Sequence, residues 1–290
     1  MEEKNTLIYG HHPVVEAIKA AENVDKVMIQ QGMRGEMEME LRQLCKEKHI
    51  PLQYVPKEKL NRLVKENHQG LVAYIAAIAY HNAEELLASI QETETNPLVL
   101  LIDGVTDVRN VGGIARSVEC AGASAIIVQQ KKAGQFNANA MKASAGALAK
   151  VKVGRVSSFA NLIGWLQNND WQVLASDLKA TQPLRKVDFK MPTAVIIGSE
   201  DLGVSNYLLK SADETFIIPQ VGTTDSFNVS VATGIILYEA MNQKLLLAAE
   251  SAAISTDVPA VESVVVAADV PAIEPIVIAT DIPTTELGID

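Results

Sequence analysis

Two short loops in the C-terminal half of the chain carry the residue types that could do chemistry. The loops, residues 198–203 and 222–228, each follow an apolar, β-prone run and contain glycine beside short polar side chains. Such loops place free backbone amides at the carboxyl end of a strand, where α/β sheets bind their ligands. Glu200, Ser226 and Asn228 are therefore candidate polar groups of a ligand site.

The first of these loops has part of the pattern of a phosphate-binding loop. Gly198 and Gly203 have the separation of that motif, but Val204-Ser205 stands where the motif requires lysine followed by serine or threonine. The lysine is the group that reaches the phosphates, so the mechanism of the motif is absent. The sequence therefore predicts a different ligand for this loop.

A third polar loop, residues 103–110, follows the apolar run 98–102. Asn110 is a suitable cap for the helix predicted after it, and Arg116, six residues further on, projects from that helix rather than from the loop. Residue spacing alone favours a structural interpretation, with Asn110 as the cap and Arg116 in a surface ion pair. Substrate contacts from both residues remain the second interpretation.

An extended basic region lies downstream of that helix. Residues 120–169 contain no Asp or Glu, and Arg109 and Arg116 lie just before them. Basic side chains interleaved with glutamine and asparagine suit a nucleic-acid phosphate backbone, although a solvated face with few acids is a competing interpretation. The basic residues within the region are Lys131, Lys132, Lys142, Lys150, Lys152 and Arg155.

The net charge of −10 is concentrated at the C-terminal end of the chain. Eight of the 35 acidic residues follow Lys244, the last basic residue, so the rest of the chain has a charge of about −2. Residues 248–290 repeat Asp-Val-Pro or Asp-Ile-Pro every twelve residues, with one sign of charge, which predicts an acidic disordered tail. A docking tail is the alternative.

Alternating strand and helix signals predict an α/β protein of 290 residues with two domains. Residues 1–80 form a small α/β/α domain, residues 81–96 a polar linker, and residues 97–247 a domain with a parallel sheet. The apolar runs are too short to span a bilayer, and no signal peptide is indicated. The two cysteines have no partner spacing, so neither disulfides nor a metal site is indicated, and a cytoplasmic protein is expected.

Three motifs together resemble the SpoU-TrmH family of RNA 2′-O-methyltransferases, which belong to the SPOUT class. They occur in the family's order and spacing, and the residues before them are similar to the L30e-like substrate-binding domain that precedes the catalytic domain. The layout within the family is most similar to that of 23S ribosomal RNA guanosine 2′-O-methyltransferases. The motifs are Asn110-x-Gly112-x-Ile114-x-Arg116, residues 197–203 and residues 226–232; the domain signatures are residues 9–17 and His68-Gln69-Gly70.

This resemblance implies a fold, a cofactor and a set of site residues. The implied fold is a C-terminal SPOUT domain with a trefoil knot, which binds S-adenosylmethionine (AdoMet) and acts as a homodimer. The implied cofactor-binding residues are Ile197, Gly198, Leu202, Ile218, Pro219, Phe227 and Asn228. The implied catalytic residues are Asn110, Arg116, Glu200, Ser226 and Asn228, and the expected RNA-binding residues are Arg109, Arg116, Lys131, Lys132 and Lys142.

Two residues depart from the family pattern. Val108 stands where proline is usual, which puts the shape of the turn in question, and Phe227 stands where leucine is commoner, which puts the shape of the cofactor pocket in question.

The implied reaction transfers a methyl group from AdoMet to a ribose 2′-hydroxyl of RNA, with loss of the hydroxyl proton. Family accounts give the role that matches Arg116 to a general base, but a guanidinium is not deprotonated in proteins. We therefore expect Arg116 to bind the adjacent phosphate while a phosphate oxygen or water takes the proton. Two alternatives remain: methylation of a transfer RNA, and a non-catalytic RNA-binding factor of ribosome assembly.

Overall fold

The computed structural model describes residues 7–20, 23–130 and 136–256, with side chains up to residue 249. Contacts within the chain divide it into two units, Met1–Glu250 and Ser251–Asp290. In the part of the chain that the structure describes, no helix is long and apolar enough to cross a membrane. The first unit contains two β-sheets, and we call residues 7–75 the small-sheet region and residues 80–256 the large-sheet region.

The small-sheet region is a mixed four-stranded sheet with three helices. The strand order is β1-β4-β2-β3, with β4 antiparallel to both neighbours and β2 parallel to β3. Alternate residues of β2 pack into two apolar clusters, Val27 and Ile29 into one and Met28 into the other. Its elements are β1 Leu7–Tyr9, α1 His11–Lys19, β2 Val24–Gln30, α2 Glu36–Glu47, β3 Leu52–Val55, α3 Lys57–Leu63 and β4 Leu71–Ile75.

The large-sheet region begins with six elements that alternate regularly between strand and helix. They are β5 Tyr80–Asn82, α4 Ala83–Thr93, β6 Leu98–Asp103, α5 Val108–Ala121, β7 Ala125–Gln129 and α6 Ala138–Ala143. The remaining elements are β8 Val153–Val156, α7 Phe159–Asn168, β9 Gln172–Ser176, β10 Gln182–Pro183, β11 Thr193–Gly198, α8 Asn206–Ser211, β12 Glu214–Ile217 and α9 Val229–Thr256.

These strands form one eight-stranded sheet in which every pairing is parallel. The strand order is β10-β12-β9-β11-β6-β7-β8-β5. Along β6, Leu98, Leu100 and Ile102 pack into one apolar cluster, while Val99 and Leu101 pack into a second. Because successive side chains of a strand point to opposite faces, helices cover both faces of this sheet, as the continuous apolar runs predict. The predicted α/β class with a parallel sheet is confirmed.

The segment predicted as a linker, residues 81–96, is instead part of the large-sheet region. Strand β5 pairs with β8, and the following helix α4 buries Leu86, Leu87 and Ile90 in the core of the sheet. Glu84, Glu85 and Glu92 lie on the exposed face of α4, whereas Glu94 caps the end of the helix and is half-buried. The three apolar residues at helical spacing therefore indicate the structure better than the polar composition does.

Helices α6 and α9 end at residues that the structure defines. Helix α6 stops at Ala143, because Ala145 and Gly146 have φ values of 51° and 86°, and a short 3₁₀ turn, Ala147–Ala149, follows. The last helix runs to Thr256, beyond the predicted limit at residue 247, so residues 248–256 are helical rather than part of a disordered tail. Residues 257–290, which carry the twelve-residue repeat, lie outside the described residues.

Candidate functional site

The candidate site lies where the chain order of the large sheet reverses. Strands β6, β7 and β8 run outward on one side, whereas β11, β9 and β12 lie on the other side of β6. Gly198, the last residue of β11, is in register with Asp103, the last residue of β6. The loops that follow these two strands therefore start at the same level, at the carboxyl edge where parallel sheets bind ligands.

The loop after β11 folds back tightly on the strand that it leaves. The amide of Gly203 donates to the carbonyl of Ser199 at 2.9 Å, and a Cβ on Gly198 would lie 1.9 Å from the carbonyl carbon of Gly203. No side chain fits at residue 198. Beyond the loop, the amide of Ser205 donates to the buried carboxylate of Asp103 at 3.1 Å, so the end of β6 also holds the loop.

A cavity of about 370 Å³ opens beside this loop. Five of the seven predicted cofactor residues line it, as do the predicted catalytic residues Glu200 and Ser226; Pro219 and Asn228 are not in its lining. Most of the predicted pocket residues are thus brought together from two segments, the end of β11 with its loop and the loop after β12. The five are Ile197, Gly198, Leu202, Ile218 and Phe227.

The amide of Asn228 connects all three sequence motifs. Its Nδ2 donates to Oδ1 of Asn110 at 3.0 Å and to the carboxylate of Glu200. Its Oδ1 accepts from the backbone amides of Ser230 and Val231 at 3.0 and 3.4 Å, which caps the first turn of α9. Since one amide makes all these bonds, the loops after β6, β11 and β12 are held in one arrangement.

Asn110 is not the cap of its helix, contrary to the prediction. The cap is Asp107, whose Oδ1 accepts from the backbone amide of Arg109 at 2.7 Å, and Asn110 lies in the first turn. The Arg109 side chain, 86% exposed, also donates to Asp107, and this hydrogen bond lowers the pKa of the Asp107 carboxyl. Asn110 is consequently free of the capping role and can join the network of Asn228.

Arg116 projects from α5 as predicted and is exposed. One turn earlier on the same helix, a Cβ on Gly113 would lie 2.9 Å from Cβ of Ser230 in α9. Helix α5 thus packs closely on the start of α9. Arg116 lies one helical turn beyond Gly113, which faces Ser230, a residue whose amide donates to Asn228. Among the residues with described side chains, no ion pair of Arg116 is seen.

The described residues of the predicted basic region differ in exposure. Lys142 is exposed on α6, which packs against α5 where a Cβ on Gly112 would lie 2.5 Å from Cβ of Ala143. Lys150 forms an ion pair with Glu119 at 3.0 Å. Arg155 is buried, so its assignment to an exposed basic stripe is wrong. Lys131 and Lys132 lie outside the described residues.

The structure adds residues to the site that the sequence did not indicate. The loop after β9 contributes Ser176, Asp177, Leu178 and Lys179 to the cavity, and Asp103 anchors the loop after β11. An apolar strand followed by Ser-Asp is a weak signal, common at strand ends throughout such folds. Among the residues that the structure describes, no cluster of three or more His, Cys, Asp or Glu side chains could hold a metal ion.

Two protein-family models match the two sheet regions in order. The model of the SpoU rRNA methylase family matches residues 97–238. The model for RNA 2′-O ribose methyltransferase substrate binding matches residues 7–81.

Curated relatives match nearly their full length. A protein of Bacillus subtilis strain 168, YacO, whose name places it in the TrmH family of tRNA/rRNA methyltransferases, is 30% identical over 245 residues, which cover 84% of this chain and 98% of the relative. A protein of Staphylococcus aureus strain MSSA476, placed by name in the same family, is 32% identical over 241 residues, with 83% of this chain and 97% of the relative covered.

Solved structures share the fold. The SpoU methyltransferase AviRb from Streptomyces viridochromogenes aligns with a TM-score of 0.54 at 23% identity, covering 84% of this chain and 91% of that one. The AdoMet-bound rRNA methyltransferase from Sinorhizobium meliloti aligns with a TM-score of 0.53 at 23% identity, covering 83% and 88%.

The two family matches, on a chain with a parallel sheet and a loop-built pocket, place this protein in the class of RNA-modifying methyltransferases. The chain belongs to the SpoU/TrmH family of RNA 2′-O-ribose methyltransferases.

Proposed function

We propose that this protein transfers a methyl group from AdoMet to a ribose 2′-hydroxyl of RNA, and that the RNA is 23S ribosomal RNA, methylated at a guanosine. The observation that carries the proposal is the amide of Asn228, which donates to both Asn110 and Glu200 beside the cavity. The three motifs that belong to this chemistry meet through that single side chain.

The cavity suits AdoMet in size and in the character of its walls. Its volume of about 370 Å³ lies in the range of small-ligand pockets, roughly 300–1,000 Å³. Ile197, Ile218 and Phe227 offer apolar surface, and the loop after Gly198 offers backbone amides. When bound, AdoMet supplies a sulfonium that carries the transferable methyl group. Ile197, Gly198, Leu202, Ile218, Pro219 and Phe227 are the residues that we propose hold it, with Asn228 fixing their loops.

The residues around the cavity bind and orient the RNA. Asn110, Glu200, Ser226 and Asn228 hold the loops on which the ribose is placed, and the exposed Arg116 binds the neighbouring phosphate. Orientation alone can supply a large part of a transfer reaction's rate. The guanidinium stays protonated throughout, so the hydroxyl proton leaves to a phosphate oxygen or to water.

The small-sheet region would bind RNA away from the reacting ribose. Its match to a substrate-binding domain supports this role, and we propose that the boundary between the two parts lies in residues 76–79, between β4 and β5. Arg109, Arg116, Lys131, Lys132 and Lys142 would contact the phosphate backbone. A trefoil knot in the large-sheet region is part of the same proposal, as is the likeness to RlmB, the 23S ribosomal RNA guanosine 2′-O-methyltransferase.

A homodimer is the proposed assembly. Helix α9 exposes Val231, Tyr238 and Leu245 at intervals of seven residues, with 51%, 64% and 58% of each residue accessible. Seven residues are close to two helical turns, so these side chains share one apolar stripe. A second copy of the chain, packed on this stripe, would remove it from water.

Mapping of ribose methylation in ribosomal and transfer RNA, from cells with and without this protein, tests the substrate. We expect one guanosine of 23S ribosomal RNA to lose its methyl group when the protein is absent. Loss of a methyl group at a transfer RNA position would instead support the alternative, methylation of a transfer RNA. If AdoMet does not bind in calorimetry, the protein is a non-catalytic RNA-binding factor and the proposal is wrong.

A further inference from the structure

A buried charged cluster joins the small-sheet region to the large-sheet region. The side chain of Arg155, on β8, is 5% exposed. Its Nη2 donates to Oδ1 of Asp25 at 2.5 Å and its Nη1 to the carbonyl of Val24 at 3.4 Å, both on β2 of the other sheet. Tyr80, on β5, donates to the same Oδ1 at 2.9 Å, and its ring centroid lies 3.2 Å from Cζ of Arg155.

This cluster has the features of a contact that sets the orientation of one sheet region relative to the other. A buried ion pair adds little stability compared with apolar residues of the same volume, because both charges must leave water. Each charge nevertheless requires its partner in place, since an unpaired buried charge is strongly unfavourable. Burial also raises the pKa of the Tyr80 phenol, so its hydroxyl keeps the proton that it donates to Asp25. Another arrangement of the two sheets would separate these partners.

Gln130 and Phe136 make two further hydrogen bonds at the same junction. On one side, Nε2 of Gln130 donates to the carbonyl of His49 in the small-sheet region at 2.8 Å. On the other side, the amide of Ala77, in the connection between the regions, donates to the carbonyl of Phe136 at 3.0 Å. The two hydrogen bonds therefore add to the contacts between the small-sheet region and the large-sheet region.

We propose that Asp25, Tyr80 and Arg155 are positioning residues for RNA methylation: they fix the small-sheet region in the one orientation that presents bound RNA to the cavity. They touch no substrate and act through the relative orientation of the two regions. This inference rests on the proposed function, because it assigns RNA binding to one region and methyl transfer to the other.

The test removes both charges together, so that neither is left buried and unpaired. The double variant Asp25→Leu/Arg155→Met replaces the pair by apolar side chains, a change that proteins tolerate. Tyr80→Phe is the milder variant, because it keeps the ring and removes only the hydroxyl. Lys19→Met is the control, since it breaks an exposed ion pair with Glu40 (3.1 Å) inside the small-sheet region.

Steady-state methylation of unmodified 23S ribosomal RNA, transcribed in vitro, gives the first measurement. If the productive orientation is populated about a tenth of the time in the double variant, KM for RNA rises about tenfold. We expect kcat at saturating RNA and the calorimetric affinity for AdoMet to stay at the wild-type values, and Tyr80→Phe to raise KM by a smaller factor. A merely structural role would change all three quantities together. Wild-type KM in the double variant would overturn the proposal.

A distance measurement tests the orientation without any activity. Spin labels at Met39→Cys on α2 and Asn168→Cys on α7, both exposed, are placed in a Cys120→Ser background. The protein and its Lys19→Met control should give one narrow distance distribution, and the double variant a broad one. A narrow, unchanged distribution in the double variant refutes the inference. If the wild-type protein methylates no RNA, the proposed function is wrong. The distance measurement then still tests whether the charged cluster fixes the orientation of the two regions.

Discussion

The amide of Asn228 uses its nitrogen and its oxygen for different partners. The nitrogen donates to Asn110 and Glu200, and the oxygen caps α9. A change that removes the first role and keeps the second separates catalysis from folding. Aspartate is such a change, because it caps helices as well as asparagine does and cannot donate.

We expect Asn228→Asp to lower kcat about 100-fold, since a small misplacement of reacting groups costs that much. The new carboxylate would repel Glu200 and release the loops, while the cap keeps the melting temperature near the wild-type value. Asn82→Asp, the same substitution at the cap of α4, is the matched control and should leave kcat unchanged. Wild-type turnover by Asn228→Asp would contradict the bridging role.

Arg116 offers a test of the proton's path. Lysine keeps the positive charge and loses the planar, two-pronged contact with a phosphate. Arg116→Lys should therefore keep measurable turnover and bind RNA more weakly, by about tenfold in filter binding for roughly one lost charge-assisted hydrogen bond. Normal RNA binding with no turnover would instead assign Arg116 a direct part in the proton transfer.

The two cysteines differ in their expected reactivity. Cys45 is buried, and burial raises the pKa of its thiol to about 12, whereas Cys120 is exposed. The thiolate is the reactive form, and a raised pKa makes it scarce at pH 8. An aromatic disulfide reagent should thus modify one thiol per native chain at pH 8 and two in denaturant. Rapid modification of two thiols in the native protein would mean that the apolar cluster around Cys45 opens readily.

At the scale of the elements, the loop after β11 depends on Gly198. A methyl group there has no space, and overpacking of this kind costs about 1–3 kcal/mol. We expect Gly198→Ala to abolish calorimetric AdoMet binding and to lower the melting temperature. Gly164→Ala in α7, where the added carbon would meet no atom within 4 Å outside its own helix backbone, should stabilise the protein by about 0.5–1 kcal/mol. Full AdoMet affinity in Gly198→Ala would show that the loop can move without loss.

The start of α5 explains one departure from the family pattern. Val108 is the first residue of that helix and follows the cap Asp107. Proline suits the first helical position because its fixed φ matches the helix and its missing N–H has no partner there. Valine also adopts helical φ there, and Asp107 still fixes the turn, so the loop keeps its shape without proline.

At the scale of the whole molecule, the apolar stripe on α9 predicts self-association. Tyr238→Glu places a charge in the middle of the proposed interface and should convert the dimer to a monomer in sedimentation velocity. Met39→Glu, at an exposed apolar residue of α2, is the control and should leave the sedimentation coefficient unchanged. A wild-type protein that sediments as a monomer at micromolar concentration would exclude the dimer.

The sequence by itself determined the α/β class, the loops after the apolar runs, the exposed position of Arg116 and the family, because these depend on local periodicity and short motifs. The cofactor, the knot, the dimer and the 23S substrate stay predictions that those motifs support. Residues 81–96 form a strand and a helix rather than a linker, because the helical spacing of Leu86, Leu87 and Ile90 lets them pack into the core despite the polar composition of the segment.

Only the tertiary structure decided which loops meet, because strand order in the large sheet differs from chain order and β11 inserts between β9 and β6. That insertion brings Glu200, after β11, close to Asn110, after β6, and the residue before α9, Asn228, bonds to both. Only the tertiary structure decided the burial of Arg155 as well. Its charge by itself favours a surface position. Asp25, 130 residues away in the chain, supplies the partner that makes a buried guanidinium tolerable.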